Sequence, residues 1–189
     1  MDINELVNLS SKVWTLPILA AFQDGVPGRQ APLLAHTGAG RTAFAASMGH
    51  LIESGYAERN PGHGHPLRPE FRLTEKGHAA AELAAALLEG RGGDDTALFR
   101  KSWTLPVLST LRTPRRFAEI RVDISPVTDR ALSQSLKALS ERRWIARDVD
   151  AASHPPRPVY SAIGVGTEIG EVLWSAVHIS SHSGRSVSR

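Results

Sequence analysis

Trp14-Thr15-Leu16-Pro17-Ile18-Leu19 and Trp103-Thr104-Leu105-Pro106-Val107-Leu108 are one hexapeptide written twice, differing only at Ile18 against Val107, at an offset of 89. Tryptophan is a rare residue, so a repeated tryptophan-led stretch is a reason to look for an internal repeat before anything else. Further matches follow in the same order. At an offset of 88, Leu51, Glu53, Tyr56 and Arg59 fall on Leu139, Glu141, Trp144 and Arg147. At 89 again, His65-Pro66-Leu67-Arg68-Pro69-Glu70-Phe71 lies over His154-Pro155-Pro156-Arg157-Pro158-Val159-Tyr160. Separated matches in one order read as a duplication, and the hexapeptide marks the same place in each copy.

The chain's 189 residues are enough for two domains, each able to bury a core of its own. Hydrophobic residues make up 41% and charged residues 22%, a globular balance, and no apolar run reaches the 18 or more residues that a spanning helix needs. Met1-Asp2-Ile3-Asn4-Glu5 is not the basic start of a secretory signal, so the expected location is the cytoplasm. With no cysteine, disulfides, thiolate metal sites, thiol nucleophiles and thiol redox sensing are excluded. The net charge of +3 is unevenly distributed: residues 1–89 carry 7 Lys/Arg against 9 Asp/Glu, residues 90–189 carry 15 against 10. The second half is therefore the better binder of a polyanion.

Around the hexapeptides the apolar spacing predicts core helices over residues 12–23 and 101–112, with Pro17 and Pro106 near the first turn and Trp14 and Trp103 as core anchors. In the second half, Phe117-Ala118-Glu119-Ile120 predicts a short helix and Ser125-Pro126 a turn. A longer helix is predicted from Asp129 to Arg142, with Ala131, Leu132, Ser135, Leu136 and Leu139 inward. Strands are expected at Trp144–Arg147 and Val159–Ile163, joined by a loop through His154–Pro158. The first half repeats the plan: a helix over Arg41–Glu53, a strand at Tyr56–Arg59, a loop from Asn60 to Pro69, a strand at Phe71–Leu73, and a helix from Thr74 to Leu88 whose counterpart is Thr167 to His178. Glu89-Gly90-Arg91-Gly92-Gly93-Asp94-Asp95 reads as linker, and the stretch from Ser180 as a disordered tail. The expected organisation is thus a first domain over 1–89, a linker over 90–98, a second domain over 99–178 and a tail over 179–189. Its class is mainly α with small β-hairpin wings, α+β.

A three-helix core, a two-stranded wing and a closing helix make up the winged helix-turn-helix arrangement, in which the second helix of the pair enters the DNA major groove. The residues are more specific than the topology. Arg116-Phe117-Ala118-Glu119-Ile120, Ile124-Ser125, Arg130-Ala131-Leu132, Leu136-Lys137-Ala138-Leu139, Trp144-Ile145-Ala146-Arg147 and Arg157-Pro158-Val159-Tyr160-Ser161 resemble the HxlR family of bacterial transcriptional regulators. So does Phe71-Arg72-Leu73-Thr74-Glu75-Lys76-Gly77, and the resemblance extends over roughly residues 10–89 and 99–178. That family usually carries one such domain per chain, with an N-terminal cysteine in some members, and works as a homodimer. Two domains and no cysteine imply a covalently joined pseudo-two-fold pair, active as a single chain.

Phosphate contacts need Lys, Arg or small hydroxyls, and base reading needs side chains that offer matched donors and acceptors to the groove edges. The resemblance places Thr128, Arg130, Ser133, Gln134 and Lys137 on the recognition helix, with Arg130 and Gln134 as base readers and Lys137 as a phosphate anchor. Arg157 at the second wing is assigned to the minor groove or a phosphate, and Arg115 and Arg116 to the backbone, unless Arg116 pairs with Glu119. The first-half equivalents are Arg41, Thr42, His50 and Arg68. There Gly40-Arg41-Thr42-Ala43-Phe44-Ala45-Ala46 replaces Thr128-Asp129-Arg130-Ala131-Leu132-Ser133-Gln134, which leaves the first half little with which to read bases.

Other chemistry is weakly supported. Thr37-Gly38-Ala39-Gly40-Arg41-Thr42 lacks the first glycine and the lysine of a phosphate-binding loop, since Ala35 and Arg41 stand in those places. His63 and His65 are one residue apart on a loop with no third ligand nearby, so they read as wing tip and no metal or cofactor is expected. No nucleophile-base spacing argues for an enzyme. The expected function is a sequence-specific double-stranded DNA-binding regulator, a repressor, acting on an imperfect palindrome or an asymmetric site. Two alternatives stay open: a winged-helix protein-interaction module and a nonspecific architectural DNA binder. A small-molecule effector or protein partner has a place in this scheme, and the residues name neither.

Overall fold

The computed structural model describes residues 1–60, 70–150 and 156–182. Its first half contains α1 (Ile3–Leu9), α2 (Thr15–Gln23), α3 (Gln30–Thr37), α4 (Arg41–Glu53), β1 (Ala57–Asn60), β2 (Glu70–Leu73) and α5 (Glu75–Leu88). Then come α6 (Gly93–Phe99), α7 (Thr104–Thr110), β3 (Arg115–Arg116), α8 (Phe117–Asp123), α9 (Asp129–Glu141), β4 (Ile145–Asp150), β5 (Arg157–Ala162) and α10 (Val165–His182). Two compact units result: Leu9–Thr96, and Met1–Asn8 together with Ala97–Arg189. The first eight residues, expected with the first half, group with the second.

In the unit Leu9–Thr96, α2 is the central helix and packs on α5, α3 and α4. The two faces interdigitate through small and branched residues: Leu16, Ile18, Leu19 and Ala21 are buried, as are Ala80, Ala81, Ala84 and Leu87. Strands β1 and β2 pair antiparallel from Ala57↔Leu73 to Asn60↔Glu70. Phe71 of β2 meets Phe44 of α4 edge to face, with ring centroids 6.3 Å apart, which fastens the hairpin to the helix.

In the other unit α7 packs on α10, α9 and α8, and β3, β5 and β4 form a sheet in that order. Its core holds Leu105, Val107, Leu108, Ile120, Leu132, Leu136, Leu139 and Leu173.

The hexapeptide helices begin later than the apolar spacing implied, at Thr15 and Thr104, and this moves the tryptophans. Proline lacks an N–H, so Pro17 and Pro106 fit only where no intrahelical donor is needed; as third residues of α2 and α7 they sit in the first turn. The Trp14 and Trp103 carbonyls accept the next donors, Ile18 N–H and Val107 N–H, each at 3.0 Å. Both tryptophans are therefore N-cap residues, half-buried at the helix entrance, and not the core anchors expected of them.

Three other expectations change. The segment read as linker is helical from Gly93, because Leu98 and Phe99 are buried and the Phe99 ring lies 5.7 Å from that of Trp144. Asp94 and Asp95 in its first turn suit the positive end of the helix dipole. Arg157 and Pro158, assigned to a loop, pair with Asp150 and Val149. Pro158 is tolerated there because β3 reaches only Tyr160 and Val159, so at Pro158 the strand has a neighbour on one side. Finally, α10 continues through His182, past the expected start of the tail.

Candidate nucleic-acid interface

Ile120, Ile124 and Val127 are buried, and α9 follows α8 across a short turn, giving a helix-turn-helix. The Thr128 hydroxyl oxygen accepts the Ala131 N–H at 3.2 Å and so caps α9. Asp129, in the first turn, meets Arg121 Nε at 3.2 Å. From there α9 divides cleanly by face. Leu132, Ser135, Leu136 and Leu139 are buried, while Arg130, Ser133, Gln134 and Lys137 are exposed at the i, i+3, i+4, i+7 spacing of one stripe. That stripe offers a forked donor at Arg130, a donor with an acceptor at Gln134, a hydroxyl and an ammonium, the groups that groove edges and phosphates recognise. Lys137 Nζ lies 3.8 Å from Glu141 Oε1, with both side chains largely in water, so the pair yields readily to a stronger anion.

The wing candidates part company. Arg115 and Arg116 adjoin in β3, so their side chains leave opposite faces of the sheet. Arg116 Nη2 reaches Asp150 Oδ2 at 2.8 Å, and its backbone N–H donates to Glu119 Oε2 at 2.7 Å to cap α8. The contact with Glu119 is thus made by the main chain while the guanidinium goes to the wing. Arg115 Nη1 stands 4.0 Å from Asp123 Oδ2 and lines a shallow groove with Ser109, Arg112 and Trp174. Arg157 is exposed and opposite Asp150 in the register. Arg116 and Arg157 therefore share a face that Arg115 does not.

In the unit Leu9–Thr96, Gly38 at φ +69° ends α3 in the left-handed conformation that suits glycine, and α4 starts at Arg41. A helix, not a strand, precedes Gly38, so the phosphate-loop context is missing. Arg41 and Thr42 are exposed at the start of α4, followed on the outer face by Ala43, Ala45 and Ala46. His50 is half-buried, its Nε2 3.1 Å from Ser11 Oγ. Arg68, like His63 and His65, lies outside the described residues.

One further lysine lies beside α9. Lys101, in the turn between α6 and α7, lines a groove with Gln134 and Lys137. The signal was present: a lysine stands two residues before each repeated tryptophan, at Lys12 and Lys101.

In a comparison with known families, residues 98–184 fit the family described as HxlR-like helix-turn-helix. That family consists of DNA-binding transcriptional regulators and is not an enzyme family. No match was found among curated proteins or among solved structures. Among the described residues, no helix is long and apolar enough to cross a membrane.

Proposed function

We propose that this chain is a sequence-specific transcriptional repressor that binds duplex DNA as a single-chain pseudo-dimer, the product of a tandem duplication. The observation that carries the reading is the exposed stripe Arg130, Ser133, Gln134 and Lys137 on α9, within the segment that fits the HxlR-like family. In this reading α9 enters a major groove, Arg130 and Gln134 take base edges, Lys137 and Arg157 take phosphates, and Thr128 orients the start of the helix. Arg116 holds the wing through Asp150 and supports the interface indirectly.

The second helix of the pair is unequal. At an offset of 88, the places of Arg130, Ser133, Gln134 and Lys137 are taken in α4 by Thr42, Ala45, Ala46 and Gly49, a face with a single hydroxyl. Arg41 and His50 then hold the backbone, and the preferred site is asymmetric. Joining both units in one chain replaces a bimolecular assembly step by an intramolecular one, so occupancy does not wait on dimerisation. Bound over a promoter, the chain represses by occlusion. The alanine-rich face of α4 also favours a second reading, in which the first unit docks a protein.

The test has two arms. Purified protein is titrated with an enriched duplex and a scrambled one, and the enriched duplex is placed across a reporter promoter. The proposal expects preferential binding and reduced expression; equal binding to both duplexes removes sequence specificity, and unchanged or raised expression removes repression.

A further inference from the structure

The groove beside α9 has a volume of ≈ 430 Å³ and is lined by Lys101, Ser102 and Trp103 on one side and by Gln134, Lys137 and Glu141 on the other. Its polar groups belong to two elements that the backbone holds in place. The turn before α7 is closed by Lys101 N–H to Leu98 O at 3.0 Å and Thr104 N–H to Lys101 O at 3.1 Å. The opposite wall is the side of α9 that carries Gln134 and Lys137 of the exposed stripe. Two ammonium groups against one carboxylate give the groove a cationic balance, and Lys101 and Lys137 are both exposed.

The same juxtaposition occurs within the unit Leu9–Thr96. Thr15 N–H bonds Lys12 O at 3.4 Å, Trp14 N–H donates to Ser47 Oγ of α4 at 3.3 Å, and Ser11 Oγ meets His50 of α4 at 3.1 Å. Lys12 is therefore seated beside α4 as Lys101 is beside α9, and it too is exposed. A lysine stands at this place in both units although the α4 face lacks the polar groups of α9. A base reader has no use on a face without partners, whereas a backbone anchor works on either unit whatever sequence lies in the groove.

We infer that Lys12 and Lys101 are paired anchors for the sugar-phosphate backbone of duplex DNA, each gripping the strand that flanks the helix beside it. The inference rests on the DNA reading above and adds two phosphate contacts to it. Each contact releases condensed counterions, so each contributes a slope of about one to the dependence of log affinity on log salt, and about fivefold in affinity at 0.15 M salt. It contributes nothing to the choice among sequences.

The experiment measures affinity of the full chain for an enriched duplex and for an unrelated one across a salt series, with wild type, Lys12→Gln, Lys101→Gln, the double variant and Lys101→Arg. The expected result is a slope reduced by about one in each single variant and about two in the double, with equal losses on both duplexes and recovery in Lys101→Arg. A double variant that binds with the wild-type slope overturns the anchors while leaving the DNA reading intact. Wild-type protein that binds no duplex at any salt overturns that reading, and the anchors with it.

Discussion

Thr15 and Thr104 hold the same place in the two Trp-Thr-Leu-Pro stretches, and both are fully buried, yet their hydroxyls differ in circumstance. That of Thr15 donates to Leu9 O and Lys12 O, whereas that of Thr104 has no hydrogen-bond partner among the described residues. Removing a satisfied buried hydroxyl takes a donor away from the carbonyls it serves, while removing an orphaned one relieves a desolvation cost. Thr15→Val is therefore expected to destabilise by about 1–2 kcal/mol, and Thr104→Val to be neutral or stabilising, by urea unfolding midpoints. Equal destabilisation by both contradicts the difference. Arg130→Ala is expected to erode discrimination between an enriched and a scrambled duplex by about 1–3 kcal/mol; an unchanged preference removes Arg130 from the reading set. The identity of these residues was plain in the sequence, but the partner of a hydroxyl depends on the path of the preceding chain, which the letters do not carry.

Gly77 and Gly166 lie in the first turns of α5 and α10, where each helix is pressed against a main-chain carbonyl. An added Cβ would stand 1.8 Å from Tyr56 O in one case and 2.0 Å from Trp144 O in the other. A carbonyl held in the backbone does not swing aside, so alanine at either position is expected to cost about 1–3 kcal/mol, read as a lowered melting midpoint. No loss at either position means that the helix does not make this close approach. Thr128→Ala should cost about 1 kcal/mol through loss of the α9 cap. Elements with strong local signals were legible: α4 has the expected bounds and α9 ends one residue early. Those that depend on distant partners were not. The helix α6 hides behind a glycine-rich start until Leu98 and Phe99 find a core, and β3 is two residues long and exists because β5 accepts it.

Along the chain, charge and polarity are shared unequally between the halves. Arginine, serine, glutamine and lysine stand on α9 where threonine, alanine and glycine stand on α4. The repeated hexapeptide pointed to two domains, but nothing in the sequence grouped Met1–Asn8 with Ala97–Arg189, since a short helix carries no mark of the surface it meets. The stripe residues of α9 came from the resemblance, while helical spacing assigned the inner face opposite them. The wing was less legible, because the opposite facing of Arg115 and Arg116 follows from a strand that the sequence did not announce. The direct test is selection from random duplex DNA with the purified protein at near-physiological salt, followed by titration of the enriched sequence. A motif of about 15–20 base pairs with unequal halves, bound by one chain, is the predicted result. Failure to enrich any sequence, with weak binding abolished by modest salt, contradicts a sequence-specific single-chain regulator.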